Sequence, residues 1–460
     1  MKRLFGTDGI RGVAGEFPLD AGTVERIGRA LAVSLAAAAG RPPRVVLGRD
    51  TRESGPPIEE AFVRGVAAEG GRADRAGILT TPAIACVARL LGYDAGVVIS
   101  ASHNPYRDNG IKIFSGHGQK LPDRLEAAIE RRVLDGEDAA GDELPMEAWR
   151  PASGGGAGPP AARPEDLRRR YDAWLGEAVG AHASLRGVRI VLDCANGAAS
   201  SLAPEVFGRL GAEVTALSAS PDGRNINEDC GALHPQRLAA EVVRLGARLG
   251  LAFDGDADRC VAVDASGRVL DGDYILYLLA RDLNGAGRLE GGLVVGTVMS
   301  NLWLERALHA EGIRLLRAQV GDKYVLEEMQ RGGIALGGEQ SGHVIFLDRA
   351  TAGDGILTGL LFADLVRRTG IDLAAWAATI NPCPQVLLNV PVRSRPALES
   401  HPRIGPAIRE EELRLAGRGR LLVRYSGTEP KARIMVEGES RSAVEECASR
   451  LKMLIQEEIG

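Results

Sequence analysis

Short apolar runs, each stopped by a polar loop, recur along this chain and set its organisation. Val97-Val98-Ile99 reads as a buried strand, ended by Ser100-Ala101-Ser102-His103-Asn104-Pro105. Asn109-Gly110 reads as a tight turn, and Ile111-Lys112-Ile113-Phe114 resumes a strand. Upstream, the spacing predicts a helix over 23–38, a strand over 44–48 ended by the polar stretch 49–54, and a helix over 58–69. Thr80-Thr81-Pro82 reads as a helix start, with proline suited to the first turn. The alternation restarts with a strand over 188–192 and another over 249–253, the latter stopped by Asp254-Gly255-Asp256-Ala257-Asp258-Arg259 before extended structure resumes over 260–263. A third round runs from a strand over 293–295 to one over 334–336, stopped by Gly337-Gly338-Glu339-Gln340-Ser341-Gly342-His343 ahead of Val344-Ile345-Phe346.

This repetition predicts an α/β fold: three similar α/β units with mixed, largely parallel sheets covered on both faces. Ligands of such sheets bind beyond the C-terminal strand ends, so the three loops are expected around one central cleft. The last segment, 383–460, differs. Strands over 385–392, 420–425 and 432–437 alternate with a helix near 406–416 and a final helix from Ser442, which predicts a small C-terminal α+β domain. The stretch 151–164, PASGGGAGPPAARP, predicts an exposed linker.

Composition narrows the function. With 460 residues, 45% hydrophobic and 25% charged, the chain has room for several domains of about 100–150 residues each. Net charge is −5, from 56 basic and 61 acidic residues, with no block of one sign. That argues against nucleic acid and anionic membranes as partners, and an aromatic content of 4% argues against stacking on bases. The six cysteines form no C-x-x-C pair and read as small buried hydrophobes in a reducing compartment. The start, MKRLFGTDGIRG, lacks the apolar core of a signal peptide, and the alanine-rich stretch 30–39 is too short to span a bilayer, so a cytoplasmic protein is expected.

The polar loops carry the chemistry. Ser102 stands beside His103, with Lys112 in the next strand. Asp254, Asp256 and Asp258 place three carboxylates at alternate positions, where they repel unless a cation sits among them; hard oxygen ligands suit Mg2+. An EF-hand loop fails on spacing, since Arg259 stands where glycine is required and Ala265 where glutamate is. Glu339, Ser341 and His343, on a glycine-rich turn, offer acceptors, a hydroxyl and an imidazole to sugar hydroxyls. Arg424-Tyr425-Ser426-Gly427-Thr428-Glu429-Pro430-Lys431-Ala432-Arg433 combines two arginines, two hydroxyls and a glycine backbone, a phosphate cradle. The glycine-rich opening can bring Arg11 against an anion. There is no Walker A sequence and no well-placed G-x-G-x-x-G, so a nucleotide cofactor is not indicated.

With FGTDGIRG, SASHNP…NGIK, DGDADR, GGEQSGH and RYSGTEPKAR in this order, the chain resembles the α-D-phosphohexomutase family along its whole length. The serine loop, Gly321-Asp322-Lys323-Tyr324-Val325 and Gln340 are most similar to the branch that acts on glucosamine phosphates. The resemblance implies four domains in a heart-like arrangement: 1–150 bearing a phosphoserine, 165–264 binding metal, 265–379 recognising sugar and 383–460 binding phosphate. It implies interconversion of glucosamine 6-phosphate and glucosamine 1-phosphate through a 1,6-bisphosphate, toward UDP-N-acetylglucosamine and the cell wall. Ser102 matches the family's phosphoserine; Asp254, Asp256 and Asp258 match Mg2+ ligands, joined by the serine phosphate. Lys112 and His343 match residues given acid–base roles, and His103 neighbours the serine. Arg11 and Arg259 match residues near the transferred phosphoryl group, and Glu339, Ser341 and His343 match sugar contacts. Arg424, Ser426, Gly427, Thr428 and Arg433 match the site of the phosphate that does not react. A glucosamine 1,6-bisphosphate, or another hexose bisphosphate, is implied as primer. Two positions depart from the commoner pattern: Ala257, often glycine, and Tyr425, often lysine or proline. Phosphomannomutase or phosphoglucomutase activity of the same family and a non-catalytic sugar-phosphate binder are the alternatives; monomer and homodimer both stay open.

Overall fold

A computed structural model describes residues 4–6, 8–136, 161–426 and 430–460. The chain divides into two compact units, one of Met1–Met299 with Leu315–Ala377, the other of Ser300–Arg314 with Ala378–Gly460. Seventeen strands are found among the described residues.

In the first unit, β1 (Ile10–Val13), β2 (Arg44–Arg49), β3 (Arg72–Ile78), β4 (Ala95–Ile99) and β5 (Asp108–Ser115) form a sheet of order β1-β5-β4-β2-β3. Strand β2 runs parallel to β3 and β4, and β5 is antiparallel to β4 and β1. Strands β6 (Arg189–Asp193), β7 (Glu213–Leu217), β8 (Leu249–Phe253), β9 (Cys260–Asp264) and β10 (Val269–Leu270) repeat that plan in the order β10-β9-β8-β6-β7, with β6 parallel to β7 and β8, and β9 antiparallel to β8 and β10. The third sheet, β12-β11-β13-β14, joins β11 (Leu293–Thr297), β12 (Arg314–Ala318), β13 (Leu336–Gly338) and β14 (Val344–Phe346); β11 is parallel to β13 and β13 antiparallel to β14. The serine loop joins β4 to β5, the aspartate loop β8 to β9, and the Glu339–His343 loop β13 to β14. Each therefore occupies the same place in its unit, between a buried strand and its antiparallel return.

Strands β4 and β8 are buried along their whole length, as their uninterrupted apolar sequences require. Helix starts follow local chemistry: Asp20 accepts from the Thr23 N–H to open helix Ala21–Ala39, and Thr80 caps helix Thr81–Leu90, with Pro82 in its first turn. The structure corrects three local expectations. Asn109 and Gly110 form no turn; they lie within β5, opposite Gly12 and Arg11 of β1. Part of the glycine-rich opening is thus a strand rather than a loop. Of the expected linker, 151–160 fall outside the described residues, and Pro164 begins helix Pro164–Val179.

The second unit holds an antiparallel sheet, β15-β17-β16, of β15 (Gln385–Pro391), β16 (Gly419–Tyr425) and β17 (Lys431–Gly438), with helices Ile404–Leu415 and Arg441–Ile459. Its core includes Val390, Ile404, Ile434, Val436, Val444 and Leu451. All six cysteines are buried and free. No helix among the described residues is long and apolar enough to cross a membrane.

Candidate active site

The backbone of the serine loop is bent sharply where the apolar strand β4 gives way to small residues. Ser102 adopts φ = 51°, a left-handed conformation costly for serine. The turn leaves the residue 1% exposed, with its Oγ donating to Asp254 Oδ2 at 2.5 Å and 3.3 Å from His103 Nδ1. Its own N–H donates to Ser100 Oγ (2.9 Å), and that hydroxyl donates to Asp50 Oδ2 (2.6 Å).

Asp254, Asp256 and Asp258 are all buried, and one oxygen from each lies within 4.8 Å of the others. The connecting turn places Ala257 at φ = 57°, which accounts for glycine being the commoner residue there. Asp254 accepts from the Arg259 N–H (3.1 Å) and Asp256 from Thr81 Oγ1 (2.6 Å). Lys112 Nζ donates to Asp256 Oδ2 (2.9 Å) and Asp258 Oδ2 (3.2 Å), and lies 3.2 Å from Asp8 Oδ2. The second oxygens, Asp256 Oδ1 and Asp258 Oδ1, are buried without a hydrogen-bond partner. Three clustered buried carboxylates, two of them with an oxygen that has no hydrogen-bond partner, fit a small divalent cation.

Electrostatics divide the three acids. Burial, then the charges of Asp258 and Asp256, push Asp254 well above the usual carboxylate range. Burial also disfavours charge on Asp258, but Lys112 and His343 outweigh it and hold that carboxyl well below its ordinary value. Lys112 is the reciprocal case: burial works against its charge, yet Asp256, Asp8 and Asp258 keep it a cation. His103 is driven the other way, to about 4, by burial and by Arg259 and Arg11, and is a neutral imidazole near pH 7.

Around this centre, Arg11 donates to Asp8 Oδ2 (2.6 Å) and Asn104 Oδ1 (3.2 Å), and the Arg259 Nε lies 3.8 Å from Asp258 Oδ1. His343 is buried, with Nδ1 3.8 Å from Asp258 Oδ1 and Nε2 3.7 Å from Asp322 Oδ2. Burial depresses its basicity, but the Asp258 and Asp322 carboxylates raise it to about 9. The Gly353 N–H lies 3.1 Å from Nε2, a bond only the neutral, Nδ1-protonated ring accepts; the raised basicity favours the imidazolium near pH 7, in which Nε2 becomes a donor on the Asp322 side and that bond is lost. Glu339 Oε1 accepts from the Gly321 N–H (3.0 Å), while Ser341 Oγ is buried without a partner. The loop is tied to β9 by the Cys260 N–H donating to the Gly342 carbonyl (3.0 Å). The first unit thus gathers Arg11, Ser102, His103, Lys112, the three aspartates, Arg259 and the Glu339–His343 loop into one contiguous chain of contacts.

The basic loop belongs to the second unit. Arg424 of β16 and Arg433 of β17 are direct cross-strand partners, and Arg433 Nη2 donates to Ser426 Oγ (3.4 Å). Burial and the Arg433 charge lower the basicity of Arg424. Two like charges placed opposite each other disfavour the sheet unless an anion joins them. Tyr425 pairs regularly with Ala432 and donates its hydroxyl to the Pro396 carbonyl (2.7 Å), so the departure there leaves the strand extended. Gly427 and Thr428 lie outside the described residues.

Several residues in the first unit's network carried no sequence-level role. Asp50 and Arg52 form a buried ion pair behind Ser102, and Arg52 Nη2 donates to the Ser102 and Asn104 carbonyls (3.2 and 2.6 Å). Lys120 joins Asp8 to Asp322, at 2.6 Å from Asp322 Oδ2. The signal for Asp50 and Arg52 was present: a polar loop directly after the buried strand β2.

The chain matches family domains described as phosphoglucomutase/phosphomannomutase alpha/beta/alpha domain I over residues 2–140, domain II over 173–267, domain III over 271–382 and the C-terminal domain over 387–453. It is 49% identical to the phosphoglucosamine mutase of Moorella thermoacetica, covering 98% of this chain and 99% of that one. Identity to the phosphoglucosamine mutase of Solibacter usitatus is 47%, over 100% and 99% of the two chains. Among solved structures, a phosphoglucomutase/phosphomannomutase family protein of Burkholderia thailandensis superposes with a TM-score of 0.79 at 25% identity, over 99% and 98% of the chains. An N-acetylphosphoglucosamine mutase of Aspergillus fumigatus, solved with GlcNAc-6P and magnesium, shares the fold with a TM-score of 0.62 at 18% identity, over 99% and 96%. Full-length identity near one half to such relatives, with all four domain types in sequence order, makes this chain a member of the α-D-phosphohexomutase family.

Proposed function

We propose that the chain is an isomerase that interconverts glucosamine 6-phosphate and glucosamine 1-phosphate, a step toward UDP-N-acetylglucosamine, with phosphorylated Ser102 as the phosphoryl carrier. The observation that carries this reading is the buried contact of Ser102 Oγ with Asp254 inside a carboxylate trio braced by Lys112. In it, residues 1–150 bear the phosphoserine, 165–264 the metal ligands, 265–379 the sugar contacts and 383–460 the cradle for the phosphate at rest.

The P–Oγ bond of phosphorylated Ser102 breaks as a free hydroxyl of the sugar phosphate attacks phosphorus, giving glucosamine 1,6-bisphosphate. The sugar then turns end for end, and its other phosphate returns to Ser102. Lys112, pinned as a cation, together with Arg11 and Arg259 offsets charge on the transferred group. His343 exchanges the hydroxyl proton: its neutral form accepts it, and the imidazolium that Asp258 and Asp322 favour near pH 7 gives it back. Glu339 and Ser341 orient the sugar hydroxyls. Arg424, Ser426, Gly427, Thr428 and Arg433 hold the second phosphate in both orientations. Mg2+ held by Asp254, Asp256, Asp258 and a serine phosphate oxygen would supply charge neutralisation at phosphorus. A glucosamine 1,6-bisphosphate, or another hexose bisphosphate, primes the serine.

A coupled assay of glucosamine 1-phosphate formation, with and without bisphosphate primer, tests the reaction, and glucose and mannose phosphates tested in parallel fix the sugar. Turnover of a mannose or glucose phosphate above that of glucosamine 6-phosphate would overturn the assignment. Ser102→Ala is expected to lose nearly all turnover, and intact-mass analysis to find phosphate on Ser102. Chelation with EDTA is expected to abolish turnover, and added Mg2+ to restore it.

A further inference from the structure

Two side chains far apart in sequence converge on the same pair of backbone oxygens in the serine loop. Arg52 Nη2 donates to the Ser102 and Asn104 carbonyls, and Asn227 Nδ2 donates to the same two, at 2.9 and 3.1 Å. Arg52 follows β2 of the first sheet, whereas Asn227 lies between β7 and β8 of the second. Both donors are themselves anchored. Arg52 is paired with buried Asp50. The Asn227 N–H donates to the Ala195 carbonyl (2.9 Å), and its φ of 59° is one that asparagine tolerates. Gly255, in the aspartate loop, leaves room for the arrangement: a Cβ there would stand 2.6 Å from the Ser102 carbonyl and 2.9 Å from Asn227 Nδ2.

The two carbonyls bracket His103: one fixes the Ser102–His103 peptide plane, the other the Asn104–Pro105 plane. A serine at φ = 51° persists only where its surroundings over-determine the backbone. Arg52 and the Ser100 hydroxyl supply part of that constraint from within the first sheet's unit, and Asn227 adds to it from the second. Because Asn104 also accepts from Arg11 through Oδ1, the same clamp sets the position of Arg11.

We propose that Asn227 is a positioning residue for phosphoryl transfer. Its amide locks the Ser102–Asn104 backbone so that Ser102 Oγ faces Asp254, and it thereby ties the geometry of the phosphoryl carrier to the loop between β7 and helix Gln236–Leu245. This rests on the reading of Ser102 as that carrier. Asn227 acts through backbone and not on the sugar, so its loss falls on the chemical step rather than on substrate binding.

Asn227→Gly and Asn227→Asp test this, since both residues tolerate a positive φ. Glycine removes the amide; aspartate keeps its shape but turns an acceptor toward two carbonyl oxygens. We expect kcat to fall about 10- to 100-fold in Asn227→Gly and further in Asn227→Asp, with KM for glucosamine 6-phosphate within about twofold of wild type. Hydrogen exchange of the peptide 100–106 should quicken in both variants while that of β9 stays unchanged. Unaltered exchange over 100–106, a kcat within about twofold of wild type, or a loss carried wholly by KM would overturn the proposal. Wild-type protein with neither phosphate on Ser102 nor mutase turnover would instead sink the carrier reading, and the exchange measurement would still decide whether Asn227 holds the loop.

Discussion

A methyl group added at Gly255 would meet the Ser102 carbonyl at 2.6 Å and the Ile226 side chain at 2.9 Å, closer than real contacts allow. The glycine between the first two acids is therefore required by close approach, independently of the carboxylates on either side. Gly255→Ala is expected to shift the serine loop and lower kcat about 100-fold while costing about 1–3 kcal/mol of stability, which steady-state kinetics and urea unfolding check. At this scale much was legible. The serine, the acids, Lys112 and His343 announce themselves because polar groups at the end of a buried strand have few structural reasons to be there. Asn227 was not legible, because it acts on backbone oxygens, and a backbone partner leaves no mark in sequence; the polar loop after β2 marked Arg52 as unusual but not which carbonyls it meets. Nor was the geometry of Ala257, whose positive φ is set by the turn and not by its side chain.

Elements with one clear period were read well. The strands β8 and β14 coincide with their expected spans, and the C-terminal helices begin within two residues of expectation. Strand β3, RADRAGI, went unread because it is an edge strand with charged and exposed positions, so its pattern is that of a surface. Asn109-Gly110 imitates turn chemistry, yet Gly110 serves close approach: a Cβ there would lie 2.6 Å from the Ser100 carbonyl. Between elements, Glu411 on helix Ile404–Leu415 accepts from Arg450 of helix Arg441–Ile459 at 2.7 and 2.9 Å, and from Arg414 at 3.0 Å. The Arg450 hydrogen bonds outweigh partial burial and hold the Glu411 carboxyl below its ordinary value of 4.5. A carboxyl with a lower folded than unfolded pKa stabilises fully above the unfolded value and loses that contribution as pH falls through the folded one. Glu411→Gln should therefore cost about 2 kcal/mol near pH 7 and progressively less as pH falls below 4.5, measured by urea unfolding across that range.

Across the first unit, Lys120 spans the largest sequence distance of any group near the centre, linking Asp8 of the opening segment to Asp322 at the head of helix Asp322–Gly332. Removing it takes away the cation the two carboxylates share, leaving Asp8 to Arg11 and Lys112 and Asp322 to His343. Lys120→Met should lower stability by about 1–3 kcal/mol, and adding Asp322→Asn should recover part of that loss; thermal and urea unfolding of the single and double variants check both. The gross plan of repeated α/β units followed by a distinct C-terminal domain was legible because its hydrophobic rhythm restarts three times. The braces between units were not, since ion pairs such as this one join residues that share no local pattern. The three sheets place the serine, the acids and the Glu339–His343 turn at one equivalent position each. Every tool thus hangs between adjacent rungs of its own ladder, and because neighbouring tools touch, a change to one is felt by the others.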